Sequence, residues 1–401
     1  MILLSGADLV LPDRVVSGGT IVLEEDRIVE VAAGSRAADP QALYFDLSNH
    51  YVVPGFVDVH VHGVEAHDTL DGSHAIAAIA ERLPRYGVTA FCPTSIACDP
   101  ATLRRMLAAV RAARTTRTPG GARVLPAHLE SNFISPEFRG AQPAECLRTP
   151  RPAMDAREHA WTGADIIQEI AAARPDVGIV TVAPELDGAI ELIRDLAANG
   201  HRVSLGHSGA TYEQAQEAIH AGARHATHLF NRMAPMTQRA PGLAGAVLES
   251  DEVVAELICD GVHVHPAVMR VALATKRPDG VLAITDGTAG SGLPAGARAR
   301  LGGRAITVRD VAYLDDGTIA GSVLTMDRAF ATLVGRVGLS LIDAATVCAT
   351  TPARALALQG FGVIAPGAVA DLCVLDRDLR VVQTWVAGML AFEAGAQERT
   401  P

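Results

Sequence analysis

The chain has 401 residues, 49% of them hydrophobic, and a formal net charge of −11. That length supports a large core, and the acidic balance argues against nucleic acid or an anionic membrane surface as a main partner. No apolar run reaches membrane-spanning length, Met1-Ile2-Leu3-Leu4 is too short for a signal peptide, and six scattered cysteines predict reduced thiols in a cytoplasmic protein.

Residues 2–53 read as short strands, at 2–10, 20–24, 27–32 and 44–53, with turns at Gly18-Gly19 and Glu25-Asp26. No segment there has helical period and length, so this is half of a small β domain. The stretch Tyr51-Val52-Val53-Pro54-Gly55-Phe56-Val57-Asp58-Val59-His60-Val61-His62-Gly63 then ends a β-branched run in two histidines one residue apart. Side chains alternate along a strand, so His60 and His62 point the same way and could hold one cation; imidazole suits zinc, iron or nickel. The alternative is a pair of histidines on a solvated strand face.

From Gly55 strands alternate with amphipathic helices. The strands are expected at 56–60, 88–94, 122–130, 178–183, 202–207, 225–228, 254–260 and 281–286. Helices are expected at 75–86, 101–114, 164–173, 187–199 and 212–221. Asp99-Pro100 marks a helix start, as an N-cap followed by proline at the first helical position. Eight such units predict an α/β protein with a (β/α)8 TIM-like barrel, with a doubly wound sheet as the alternative. No Gly-x-Gly-x-x-Gly follows the first strand, so a dinucleotide site has no support.

Two insertions, 131–162 and 287–320, break the rhythm, and long loops at that end of a barrel build substrate pockets. The second contains hairpin-like runs at 305–308 and 311–314. Further helices are expected at 325–337 and 342–349, then strands at 372–375 and 381–387. The division is therefore 1–53 and 361–401 as two parts of one β-sandwich domain, and 54–360 as the barrel. Lys276 is the only lysine, in Ala274-Thr275-Lys276-Arg277-Pro278 at a helix end, and reads as structural.

Polar residues sit where strands end: His60 and His62, Glu130, His207, His228 and Asp286. The C-terminal mouth of a barrel is where catalytic groups collect. Three or more His or Glu ligands with an open position describe a hydrolytic metal site. A carboxylate such as Asp286 beside an activated water can take its proton and return it to a leaving amine; its plainer role is to cap a turn. The other histidines, among them His50, His74, His159, His201, His220, His225 and His265, read as core or surface residues. His67 and His128 are close enough to the motifs to support them.

These motifs resemble the amidohydrolase superfamily and, within it, the deacetylases of N-acetylglucosamine 6-phosphate. The resemblance runs through His128-Leu129-Glu130, Leu205-Gly206-His207-Ser208-Gly209, Thr227-His228-Leu229-Phe230-Asn231, Cys259-Asp260-Gly261-Val262-His263, Thr285-Asp286 and Ala320-Gly321-Ser322. It implies Glu130, His207 and His228 as ligands of a divalent metal, zinc first and iron second. A second ion would sit on His60 and His62. It implies Asp286 as the general acid/base, His263 as a further catalytic group, and Asn231, Arg239, His263, Gln142 and the backbone near Ala320 and Gly321 around an amino-sugar phosphate. A homodimer is the implied assembly. The expected reaction is release of acetate from N-acetylglucosamine 6-phosphate. The galactosamine epimer, another N-acyl amine, or a silent sugar-phosphate-binding relative are the alternatives. The family usually has Gly-Pro where this chain has Ser131-Asn132, histidine where it has Gln142, and a small residue at Arg232. All three departures fall in loops expected around the substrate.

Overall fold

The computed structural model describes residues 1–38, 40–151 and 160–395. Part of the first insertion, with His159, therefore lies outside the described residues, as do the last residues of the chain. Eight parallel strands form the central layer: β1 (Phe56–Val61), β2 (Val88–Ser95), β3 (Ala127–Leu129), β4 (Val177–Val182), β5 (Arg202–Leu205), β6 (His225–Ala226), β7 (Val254–Ile258) and β8 (Val281–Ile284). Each pairs with the next, from β1 to β8. The ring closes where Asp286 N donates to His60 O at 3.0 Å and His62 N to Gly287 O at 2.8 Å. The barrel predicted from strand–helix alternation is the fold.

Barrel strands are buried on both faces, which is why they read as apolar runs; all eight residues of β2 are buried. Helices cover the outside, among them Pro100–Thr115, where the Asp99 side chain accepts from Ala101 N at 2.9 Å and Thr102 N at 3.0 Å. The second insertion forms a three-stranded antiparallel sheet, Arg298–Leu301, Arg304–Val308 and Ala312–Leu314. Its small core of Leu301, Ile306, Val308 and Leu314 packs with Ile96. Lys276 closes the helix Pro266–Lys276, and its ammonium donates to Ser250 O.

The two ends of the chain share one eight-stranded sheet. Tyr51–Pro54 pairs antiparallel with Leu372–Leu375, which joins the N-terminal strands to the C-terminal ones. The sheet curls over a core of Leu4, Leu9, Ile21, Leu23, Leu372 and Trp385. Its far edge returns to the C-terminal segment, with Ile28 N donating to Ala368 O at 2.9 Å and Gly367 N to Ile28 O at 2.7 Å. Gly55 is the joint to the barrel, and a Cβ there would lie 2.3 Å from Thr89 Cγ2, so only glycine allows the approach. Beside it the Arg123 guanidinium donates to both carboxylate oxygens of Asp371, at 3.2 and 3.3 Å.

Candidate metal centre

The residues at the strand ends converge. His60 lies in β1 and His62 one residue beyond it, and the strand's alternation brings their Nε2 atoms to 3.2 Å. Glu130 follows β3 directly. His207, His228 and Asp286 each come two residues after their strands, with φ of 49°, 29° and 49°. A left-handed backbone at non-glycine residues costs roughly 1–3 kcal/mol each. Here it turns three side chains off the strand direction and into the barrel mouth.

Glu130 Oε1 lies 2.8 Å from His207 Nε2 and 2.8 Å from His228 Nε2, and those two nitrogens are 3.0 Å apart. On the other side, Asp286 Oδ1 is 3.2 Å from His62 Nε2 and 3.4 Å from His60 Nε2. The carboxylate of Glu130 spans the two sets, with Oε2 at 3.5 Å from His62 Nε2. All six residues are buried. Two groups of three ligand atoms result: Glu130, His207, His228 and His60, His62, Asp286.

The donor set fits divalent metal. His207 Nδ1 lies 2.8 Å from Phe138 O; a carbonyl only accepts, so Nδ1 carries the hydrogen and Nε2 presents a lone pair to the centre. His228 Nδ1 and His62 Nδ1 are buried without a partner, so only their Nε2 atoms are engaged in the site. Burial works against charge on these rings. Hydrogen bonds to Asp286 and Glu130 nevertheless raise His62 to about 10, and Glu130 raises His228 to about 9. Burial likewise opposes the Glu130 carboxylate, yet His207 and His228 hold it well below the usual range. The centre is a concentration of negative charge and imidazole that takes up positive charge, as protons or as metal.

These groups form the floor of a cavity of about 500 Å³, a size typical of small-molecule sites. Asn231, His263, Gln142 and Gly321 line it, as do Arg232 and the exposed Glu137. His263 is held by Asp260, with Nδ1 to Oδ2 at 2.6 Å. Gln142 bridges the wall: Oε1 accepts from Ala97 N at 2.8 Å and Nε2 donates to Glu130 Oε2. Ala320 is fully buried behind the lining, and Arg239 is exposed on the loop after His228 and is not among the lining residues. Ser131 and Asn132 are buried and spend their polar groups on carbonyls, Ser131 on Thr181 O and Asn132 on Cys98 O and Cys146 O. They shape the loop from behind and leave the cavity to Gln142 and Arg232.

One residue packed against the centre escaped the reading of motifs. Glu256, in the middle of β7, is fully buried beneath the centre, with Oε2 3.0 Å from His60 Nδ1 and Oε1 2.9 Å from His225 Nε2. Burial opposes its charge, but His60, His128 and His225 hold it well below the usual carboxylate range. An acidic residue flanked by apolar ones inside a barrel strand was the available signal. His225, read as a plain core residue, belongs to this group, and His128 stacks edge-on against His60 with ring centres 4.6 Å apart.

A model of the amidohydrolase family matches residues 51–391. The N-acetylglucosamine-6-phosphate deacetylase of Rattus norvegicus is 36% identical over 407 residues, covering 95% of this chain and 94% of that protein. The N-acetylgalactosamine-6-phosphate deacetylase of Escherichia coli O157:H7 is 33% identical, covering 84% and 87%. Among solved structures, a mutant N-acetyl-D-glucosamine-6-phosphate deacetylase from Mycobacterium smegmatis, in complex with N-acetyl-D-glucosamine-6-phosphate, superposes with a TM-score of 0.87. It is 34% identical and is covered over 99% of its length by 97% of this chain.

Proposed function

This chain belongs to the amidohydrolase family, and from that premise we propose that it hydrolyses N-acetylglucosamine 6-phosphate to glucosamine 6-phosphate and acetate. The observation that carries the reading is the convergence of Glu130, His207, His228, His62 and Asp286 on the floor of one cavity, with His60 buried against His62 and Asp286, in a chain similar over nearly its full length to deacetylases of this substrate. Deacetylation of N-acetylgalactosamine 6-phosphate is the second reading, favoured by the relative from Escherichia coli.

Glu130, His207 and His228 would hold one divalent ion, and His60 and His62 a second; such an ion supplies Lewis acidity to the acyl carbonyl and makes water a better acid. Asp286 sits against His60 and His62 and takes the proton of the attacking water, then returns it to the departing amine. A carboxylate kept ionised suits the first half of that task. Burial raises Asp286, but the neighbouring His60 and His62 outweigh it and lower it below its ordinary value. His263 engages Asp260 through Nδ1, which leaves Nε2 as the ring nitrogen available to a developing oxyanion. Asn231, Gln142 and Gly321 orient the sugar from the cavity wall, and Ala320 supports Gly321 from behind. Arg232 and Arg239 supply the cationic side for phosphate, since guanidinium donors match its oxygens and never lose their charge.

Zinc is the favoured ion and iron the alternative, because both suit a set of imidazoles and carboxylates. The six cysteines are unpaired and five of them are buried, which supports a reducing, cytoplasmic location. No helix among the described residues is long and apolar enough to cross a membrane. A homodimer is the proposed assembly. Residues 54–360 are the catalytic barrel, and 1–53 with 361–401 one β-sandwich domain. The deciding experiment measures acetate release by metal-replete protein from N-acetylglucosamine 6-phosphate, its galactosamine epimer, the unphosphorylated sugars and N-acetyl amino acids. The highest kcat/KM should fall on the glucosamine phosphate. No release from either hexosamine phosphate would end the reading.

A further inference from the structure

We infer that Glu256 is a positioning residue: it fixes the tautomer of His60 and sets a carboxylate behind it, so that His60 presents Nε2 to the second ion proposed above. The inference rests on the metal-dependent reading above.

The hydrogen-bond network dictates where the protons lie. Arg202 Nε can only donate, so His225 Nδ1, 3.0 Å away, accepts, and the ring hydrogen sits on Nε2, which donates to Glu256 Oε1 at 2.9 Å. His128 Nδ1 faces the carbonyl of Val59 at 3.0 Å and must donate to it, so His128 Nε2 accepts from the Thr181 hydroxyl at 3.0 Å. Thr181 then accepts from Thr227 at 2.8 Å, and Thr227 from Ser204 at 2.6 Å. Every proton in this layer is committed. The other oxygen of Glu256, Oε2, accepts from the backbone N–H of His228 at 3.1 Å and faces His60 Nδ1 at 3.0 Å. His60 therefore carries its hydrogen on Nδ1 and presents Nε2 to His62 and Asp286.

Two consequences follow. The grouping of His60, His128 and Glu256 is not itself a cation site, although its atoms lie close enough, because each ring nitrogen there already has a hydrogen-bonding role. Second, one carboxylate oxygen braces both subsites, His60 by its side chain and His228 by its backbone. Glutamine cannot replace it. With the amide oxygen toward His60 and His228, the NH2 group confronts the N–H of His225, which Arg202 prevents from changing tautomer. With the amide reversed, NH2 confronts His60 and His228 N.

The test compares metal-free wild type with Glu256→Gln by competitive zinc titration against a chromogenic chelator, with no substrate present. Wild type should take up two equivalents. The variant should bind the equivalent on His60 and His62 about 10–100-fold more weakly, the usual effect of losing such support, and lose less at the other subsite, where Glu256 meets His228 only through its backbone N–H. A variant that binds both equivalents within about threefold of wild type, or a wild type that takes only one, would overturn the inference. If the variant does not fold, histidine-selective 15N spectra of the metal-free wild type decide: a proton on His60 Nδ1 supports the inference and its absence refutes it. Failure of acetate release with a normal titration would refute the deacetylase reading alone.

Discussion

Loading the metal-free protein with zinc should expel protons, and the number follows from the centre's electrostatics. In the metal-free protein His62 is raised to about 10 and His228 to about 9 by the carboxylates beside them, against the effect of burial. At pH 7 each ring is then about 99% protonated or more. An imidazole ligates through an unprotonated nitrogen, so filling both subsites should release about two protons per chain. Calorimetric titration in buffers of small and large ionisation enthalpy measures this directly, as a slope near two in observed against buffer enthalpy. The sign of the pH dependence is fixed. Raising pH toward 9 removes the competitor, so the apparent affinity for each ion, which displaces one proton, should increase by up to about tenfold per unit. Both folded-state values lie above the ordinary histidine value. The stability these protons give the metal-free protein is therefore complete below about 6.5 and lost as pH rises through 9 and 10. Metal-loaded protein should not show that loss. Zinc uptake at pH 7 with a buffer slope near zero would refute the reasoning.

His207→Ala removes one member of the Glu130, His207 and His228 group, and metal analysis should show an ion missing together with activity; full occupancy and turnover would contradict the ligand role. Asp286→Asn should keep the ion on Glu130, His207 and His228 while kcat falls by about 10²–10⁴, and a variant within about tenfold of wild type would exclude Asp286 as the proton carrier. Arg239→Met should lower kcat/KM for the phosphorylated sugar by about ten- to a hundredfold, from the roughly 1.5–3 kcal/mol of a charge-assisted hydrogen bond, and spare the neutral sugar. If Arg232→Met shows that selective loss instead, the lining arginine is the phosphate group. Asp371→Asn strips the partner from the buried Arg123 guanidinium, which should cost about 3–5 kcal/mol and lower the thermal midpoint; an unchanged midpoint would show that the pair does not secure the sheet to the barrel.

The barrel was legible because its strands are buried on both faces and end in chemistry. A run such as Val281–Ile284 followed by Thr285-Asp286 announces both a strand and a mouth residue. The helices Gly242–Glu249 and Pro266–Lys276 were harder to see. The first is short and buried nearly all round, so it lacks a polar stripe, and the second is capped by His265, whose side chain accepts from Ala267 N, an unusual capping residue. Within the site, the strand-end histidines and carboxylates were visible as motifs, whereas Glu256 was not, because its surroundings come from three rings on other strands. The resemblance gave the phosphate to Arg239, whereas the cavity wall carries Arg232. They lie seven residues apart in one loop, and only the turn of the backbone at Arg232, with φ of 50°, puts one of them on the cavity wall.

The pairing of Tyr51–Pro54 with Leu372–Leu375 has a consequence for biosynthesis. A ribosome delivers the N-terminal strands first, and one edge of Tyr51–Pro54 waits for a partner that is among the last segments to be made. At ordinary elongation rates of about 5–20 residues per second that wait lasts roughly 15–60 s. During it, unpaired backbone groups and the apolar side chains of Val52 and Val53 are open to other chains. Nascent protein stalled or truncated before residue 372 should therefore aggregate through this edge, even though it carries all six residues of the metal centre.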